Sequence, residues 1–302
     1  MPAIDINRGT TNVINDPDIS QEIWANALTD SFFMAHARRV TIPGEGVKIQ
    51  TITGEPTANW VGETAAKPVS THTFGAKTVI PYKLAVIEPF SMEFMRDKRA
   101  LYDELVRRLP NALAKKFDAT IMGTSAPGTG FDVLGSATKV SLIPGQNATV
   151  YDQFLAADAA IAAGGGLMGV IGLAPQGKTK VQGAVDQVGR PLFTPGVDSA
   201  AIGNILGAGV DINKHLYVAG TAGSPGTPAI VGIAGDFTDA IFGMVNAVSI
   251  ELSREATLTD GNGGTINLWQ QNMVAVKAEV EVAFAVKSAS EFVLFTGDTP
   301  SA

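Results

Sequence analysis

Val276-Lys277-Ala278-Glu279-Val280-Glu281-Val282-Ala283-Phe284-Ala285-Val286-Lys287 is the most regular stretch of the chain, and its period is two. Successive side chains of an extended strand point to opposite faces. Val276, Ala278, Val280, Val282, Phe284 and Val286 therefore face one way, and Lys277, Glu279, Glu281 and Lys287 face the other. At ~3.3 Å per residue this strand spans roughly 40 Å. Val276, Val280, Val282 and Phe284 are its expected core positions, and an apolar face of that length needs a cover of similar length.

A cover stands upstream. Leu101, Leu105, Leu109, Leu113, Phe117 and Ile121 recur every fourth residue, which predicts a helix over 99–122. Four residues overshoot the helical repeat, so the stripe winds slowly around the helix and its two ends pack on different partners. At ~1.5 Å per residue the helix is roughly 36 Å long. The simplest arrangement lays it along the apolar face of the strand, as an elongated platform. Pro110 inside the helix should kink or break it. Ser91 is placed to cap a short helix ahead of it. Val248, Ile250 and Leu252 alternate with Ser249, Glu251 and Ser253, and Asp260-Gly261-Asn262-Gly263-Gly264 turns the chain back into the long strand.

Farther out, Met1 to Pro17 reads as an extended arm, and Asp18 can cap a helix over 19–37 with Ile23, Ala27, Leu28 and Phe32 on one face. Residues 40–87 read as two strands, one around Val47–Gln50 and a return over Thr78–Ile87, joined by a long tip from Gly54 to Ser70. Such a ribbon cannot bury enough surface to be stable alone, so it is expected to lie on something else. An Ala-rich helix over 149–163 stopped by Gly164-Gly165-Gly166, a buried strand over 167–173, a helix over 176–188, a strand over 230–234 and a turn opened by Asp236 make a compact α/β unit. The fold class is α+β. The expected division is 1–39 for arm and helix, 40–88 for the ribbon, 89–148 with 248–287 for the platform, 149–247 for the α/β unit, and 288–302 for a tail returning to that unit.

Composition narrows the function. The 302 residues are 45% hydrophobic and only 17% charged, which fits a surface hidden against partners. Cysteine is absent, so disulfides and thiolate chemistry are excluded. Met1 to Asp18 has no apolar core and no run approaches a membrane span, so a soluble protein made inside a cell is expected. Net charge is −7, and Arg38-Arg39, Arg107-Arg108 and Lys115-Lys116 are only short pairs. Tight binding to nucleic acid needs a basic patch, and none is visible.

No catalytic, cofactor or metal constellation emerges. Gly164-Gly165-Gly166 lacks the Lys and Ser/Thr of a phosphate loop and follows a helix rather than opening one. Asp260 to Gly264 has no bidentate Glu at calcium-loop spacing. His36, His72 and His215 are scattered, and Ser125 lacks the following Gly of a nucleophile elbow. Glu63 and Lys67 read as loop charges for an ion pair rather than an acid and base. Trp60 reads as an apolar anchor on an exposed loop, the mark of an interface.

Trp60-Val61-Gly62-Glu63-Thr64-Ala65-Ala66-Lys67-Pro68 resembles the extended-loop motif of tailed-bacteriophage major capsid proteins. Asp118-Ala119-Thr120-Ile121-Met122-Gly123 is similar to the end of that family's spine helix. Gly189-Arg190-Pro191-Leu192 and Gly235-Asp236-Phe237 resemble its apical landmarks, and Gln271 to Glu279 its last peripheral strand. The ordered set runs from about Ile19 to Phe295. The resemblance implies the Hong Kong 97-type fold: an N-terminal arm, an extended loop, a peripheral domain with a spine helix, and an apical domain. It implies pentamers and hexamers tiling an icosahedral shell around double-stranded DNA, with Trp60, Glu63 and Lys67 against the adjacent subunit. It also implies a separate scaffolding protein, since Met1 stands almost at the arm, together with a portal and decoration proteins. The expected location is the virion capsid, assembled in the host bacterial cytoplasm, with no membrane partner and no cofactor. Some relatives join a loop Lys covalently to a neighbour's Asn; Lys67 and Lys77 are the loop-region candidates, and no motif commits to it. Two rival readings remain: a nanocompartment shell enclosing an enzyme, and an α/β enzyme with an unrecognised site.

Overall fold

The computed structural model describes residues 31–54, 57–64, 66–70, 73–97, 99–143, 145, 148–185, 188–190, 192, 203–223, 226–245, 249–259 and 263–298. The long strand runs Met273–Val286 and organises a five-stranded sheet. Along one edge it pairs antiparallel with Tyr82–Ser91, from Met273↔Ser91 to Val282↔Tyr82. It also pairs antiparallel with Ser249–Ser253 and with Ala240–Met244. Arg38–Thr41 adds a parallel strand beyond Ala240–Met244.

The phase of the strand is the one its alternation predicts. Val276, Ala278, Val280, Val282, Phe284 and Val286 are buried in one cluster with Leu109, Leu113, Phe117 and Ile121 of the helix Arg99–Met122. Leu105 packs against the same cluster, and the side chain of Leu101 lies outside the described residues. The rings of Phe117 and Phe284 meet edge-on at 6.3 Å, tying helix to strand. Each such apolar side chain contributes roughly 1.5–3 kcal/mol by leaving water. The helix is continuous through Pro110, so of the two expected outcomes, a kink or a break, the break does not occur. Ser91 caps the short helix Met92–Asp97 by accepting the Phe94 N–H at 3.1 Å.

Glu88 is an exception on the apolar face. It stands across from Val276, flanked by Val86 and Phe90 of its own strand, and desolvation raises its pKa. A carboxyl whose folded pKa is raised keeps its proton to higher pH, so its penalty is absent in acid and grows as pH rises through the folded value. In the isolated subunit Glu88→Gln should therefore raise Tm at neutral pH, and the difference should vanish below about pH 4. Thermal melts across that range check it.

The second sheet has six strands in the order Thr138–Ser141, Phe292–Thr296, Ile230–Gly235, Val170–Leu173, Ala208–Ile212, Asn204–Ile205. Val150–Ala163 packs on it through Val150, Phe154, Ala157 and Ile161, and Pro175–Gln182 through Val181. Thr149 and Asp152 form a capping box, which lowers the Asp152 pKa through hydrogen bonds from the Thr149 backbone and hydroxyl. Gly164 ends the helix and Gly165 follows at φ +90, so the glycine run is a helix stop.

Several boundaries differ from the sequence reading. The return strand over 78–87 is two strands: Thr73–Val79 stays in the ribbon, and the chain breaks at Ile80-Pro81 before Tyr82–Ser91 joins the long strand. A proline cannot donate to a ladder, so the strand stops there. Residues 82–88 thus belong to the platform rather than to the ribbon of 40–88. Ala240–Met244 also pairs in the platform sheet rather than in the unit over 149–247, and Thr138–Ser141 pairs in the second sheet. The tail strand Phe292–Thr296 lies in that sheet. The helix expected over 19–37 does not run through Ser31, which is extended and caps a new short helix, Phe32–His36; residues 1–30 lie outside the described residues. The helix over 176–188 ends at Gln182, where Gly183 closes it.

Candidate inter-subunit surface

The ribbon is rooted on the back of the long strand. Val47–Gly54 and Thr73–Val79 pair antiparallel from Val47↔Val79. Val79 and Ile42 are buried against Ala283 and Ala285, with Val40, Val47 and Ile49 around them. The face that carries Lys277, Glu279 and Glu281 therefore turns apolar and small beyond Glu281, which lets a second layer approach. Gly243 is part of that fit, since a Cβ there would stand 1.9 Å from Ile42 Cδ1.

Polar contacts fix the root. The Lys77 ammonium pairs with the Asp132 carboxylate and donates to the Val286 carbonyl at 2.6 Å. The same carboxylate accepts the Val286 N–H at 2.8 Å, and the Asp132 N–H donates to the Phe284 carbonyl at 2.9 Å. The Tyr82 hydroxyl donates to the Thr129 carbonyl at 2.8 Å. Asp132→Ala would leave the Val286 N–H without its acceptor and the Lys77 cation without its counter-charge. The expected cost is about 2–3 kcal/mol in a thermal melt, with faster hydrogen exchange at the ribbon base.

Beyond the root, the described side chains of the ribbon tip are exposed. Residues 57–64 and 66–70 form an irregular tip, narrowed where the Thr57 N–H donates to Ser70 Oγ at 2.9 Å. Trp60 has a relative accessibility of 105%, that of a fully exposed side chain, and Val69 of 91%. Glu63 and Lys67 are exposed, and no ion pair joins them among the described residues. Thr64 holds φ +68, a left-handed value that costs a β-branched residue and fixes the turn. Trp60, Glu63 and Lys67 thus share one projecting tip. Lys77 sits at the root with its amine engaged, so of the two loop lysines only Lys67 is presented outward.

A second exposed aromatic was not singled out in the sequence. Trp269, 75% exposed, stands at the far end of the platform on a well-held turn. Its neighbour Leu268 is buried and accepts the Met273 N–H at 2.8 Å, and Asn272 at φ +53 donates to Glu93 Oε1 at 2.5 Å. Leu252 is exposed in the same sheet. The visible signal was an aromatic in a polar turn, Asn267 to Asn272.

Between the two ends runs a ladder of charges. Lys83 reaches Glu279 at 2.7 Å and Glu281 at 3.4 Å; Lys277 reaches Glu251 at 2.9 Å and Glu279 at 3.5 Å. The hydrogen bond from Lys83 holds Glu279 below the usual carboxylate range, and the same bond raises Lys83. Exposed pairs of this kind add little stability, so the pattern matters for what it presents.

Among the described residues no group of three or more His, Asp or Glu could hold a metal. His36 lies by Asp211 and His215 by Asp118, while His72 lies outside the described residues. Among the described residues no helix is long and apolar enough to cross a membrane.

Comparison with known proteins gives the following. The Phage capsid family matches residues 12–297. "Probable major capsid protein gp17" of Mycobacterium phage D29 is 31% identical over 294 residues, covering 93% of this chain and 89% of that protein. Its counterpart in Mycobacterium phage L5 is 31% identical over 299 residues, covering 93% and 88%. Among solved structures, a chain of Gordonia phage Cozz superposes with TM-score 0.72 at 20% identity, covering 90% of this chain and 87% of that one.

Proposed function

Because the chain belongs to the phage capsid family, we propose that it is the major capsid protein of a tailed bacteriophage, a subunit whose work is mechanical. The observation that carries this reading is the rooted ribbon whose aromatic tip is fully exposed among the described residues. Such a tip meets a different surface on the next copy, which makes the contact head-to-tail and requires the rotation to close. Closure in pentamers and hexamers gives an icosahedral shell. Trp60, Glu63 and Lys67 are the contact residues of the tip; the stripe from Leu101 to Ile121 and the strand residues Val276, Val280, Val282 and Phe284 are the frame that aims it.

A scaffolding protein, a portal and decoration proteins complete the particle, which is assembled in the host bacterial cytoplasm and becomes the virion capsid. The subunit catalyses nothing and takes no cofactor. The net charge of −7 suits a wall that encloses DNA without gripping it. Negative-stain microscopy and size exclusion of the protein expressed with its scaffold test the reading. Uniform megadalton particles are expected, and a monomer peak under all conditions would overturn it. The contents of the particles separate this reading from the nanocompartment: DNA in the virion, a cargo enzyme in the other case.

A further inference from the structure

Arg38, Ile241 and Ala285 stand in register across three strands of the platform sheet, and the burial of Ala285 under the ribbon root fixes which way the row faces. The neighbouring row, Val40, Gly243 and Ala283, is closed by Ile42. The first row is not. Over it lies the cross-strand pair Ile49 and Lys77, and the Lys77 ammonium is drawn off to the Asp132 carboxylate and the Val286 carbonyl. A cleft of about 210 Å³ is left between ribbon and sheet, with Ile241 and Ala285 as floor and Ile49 as wall. Arg38 and Lys287 are its exposed cations. A cavity of roughly 150 Å³ lined by apolar side chains takes a benzene, so this cleft has room for one aromatic side chain.

The charges say which kind. Lys77 is balanced by Asp132, and Lys287 by Asp239 at 2.9 Å. Arg38 meets no carboxylate among the described residues, so the cleft carries an uncompensated positive charge beside an apolar floor. Cations at the edge of an apolar slot favour the face of an indole over an aliphatic side chain, and a carboxylate close by would complete the match. The ribbon tip offers both. Trp60 is fully exposed, so its ring lies outside the cleft of its own subunit, and Glu63, three residues on, has no ion pair among the described residues. Trp269 is the rival aromatic, but it sits on a turn held to the platform, and the carboxylate there, Glu93, already accepts the Asn272 amide at 2.5 Å. The cleft lies at the base of the ribbon and Trp60 at its tip. Tip into root is therefore a contact between two different surfaces, in which each copy gives one tip and receives one.

We propose that the cleft at the ribbon root is the receptor for the ribbon tip of the adjacent copy: it takes the Trp60 indole on Ile241 and Ala285, with Arg38 paired to Glu63. The proposal rests on the shell-forming reading above and deepens it by naming the surface that the tip meets.

The chain has no cysteine, so the contact can be read without background. Full-length protein carrying Arg38→Cys and Glu63→Cys is assembled with its scaffold and treated with a short bis-maleimide. It should give a ladder of covalent multimers that ends at the hexamer, because a head-to-tail contact closes around the ring. Glu63→Cys with Gln270→Cys, the arm for docking beside Trp269, should stay monomeric. Charge exchange is the second measurement. Arg38→Glu and Glu63→Arg should each cut the yield of closed shells by roughly tenfold or more, since like charges then face each other, and the two together should restore it to within about threefold of the parent. Positions 38, 63 and 270 are exposed, so Tm should stay at the parent value in every variant. No cross-link between positions 38 and 63, a cross-link through position 270 instead, or a double exchange no better than the single ones would overturn the proposal. Closed shells from the parent alongside any of those results leave the capsid reading standing. A parent protein that forms no assembly defeats the capsid reading, and this contact with it.

Discussion

Val280→Asp should prevent the subunit from folding, while Glu281→Ser should leave yield and melting temperature nearly unchanged. The two positions are neighbours on one strand and differ only in the face they occupy. Val280 is buried opposite Leu84, in the cluster that joins the long strand to the spine helix. An aspartate there loses the transfer energy of the valine, roughly 1.5–3 kcal/mol. It also buries a carboxylate with no partner, at a further cost of several kcal/mol. A domain with a total stability of about 5–15 kcal/mol does not survive that sum. Glu281 opposes Lys83 and contacts it at 3.4 Å, but Lys83 keeps Glu279 at 2.7 Å. Losing one member of an exposed pair costs about 0–1 kcal/mol. Thermal melts and soluble yield of the two variants decide the matter, and equal behaviour would mean that the strand phase is wrong.

That pair of positions also marks how far the sequence could be read. Strand phase, helix length and the match between them follow from local periodicity, and Val276, Val280, Leu109 and Ile121 stand where periodicity places them. Ser31 was legible too, as a cap residue just before an apolar pair, but a longer helical pattern across it hid the boundary. Pro81 carried the break between Val79 and Tyr82, yet both flanks alternate alike, so one strand was read where two sheets are served. Ala283 and Ala285 look like fillers in an alternating strand; their small size has meaning only once Ile42 and Val79 lie over them. The contact of Lys77 with Asp132, and that of Asp118 with Ser31, join residues far apart in the chain through single side chains. No spacing rule reports such contacts. Trp60 was legible because a tryptophan on a Gly- and Pro-bounded loop has no core to enter.

Replacing residues 57–70 with a short turn should leave a folded subunit that makes no stable shells. The core survives because the root of the ribbon remains: Val79 on Ala283 and Ala285, and Lys77 on Asp132. The tip removes no buried contact of its own subunit, since its described side chains are exposed. Circular dichroism and Tm should therefore match the parent. Assembly is a different case. Burying an indole of roughly 200 Å² against a neighbour is worth about 5 kcal/mol of gross transfer energy, before the cost of ordering the tip. An isolated contact netting about −4 kcal/mol corresponds to only ~1 mM affinity. A shell holds because each subunit makes several such contacts at once, and linked contacts multiply. Loss of the tip removes one of them at every subunit, so the penalty repeats around each ring. Microscopy of the shortened protein, with its scaffold, reads the outcome. Normal shells would show that the tip adds nothing to assembly, and an unfolded subunit would show that it belongs to the core.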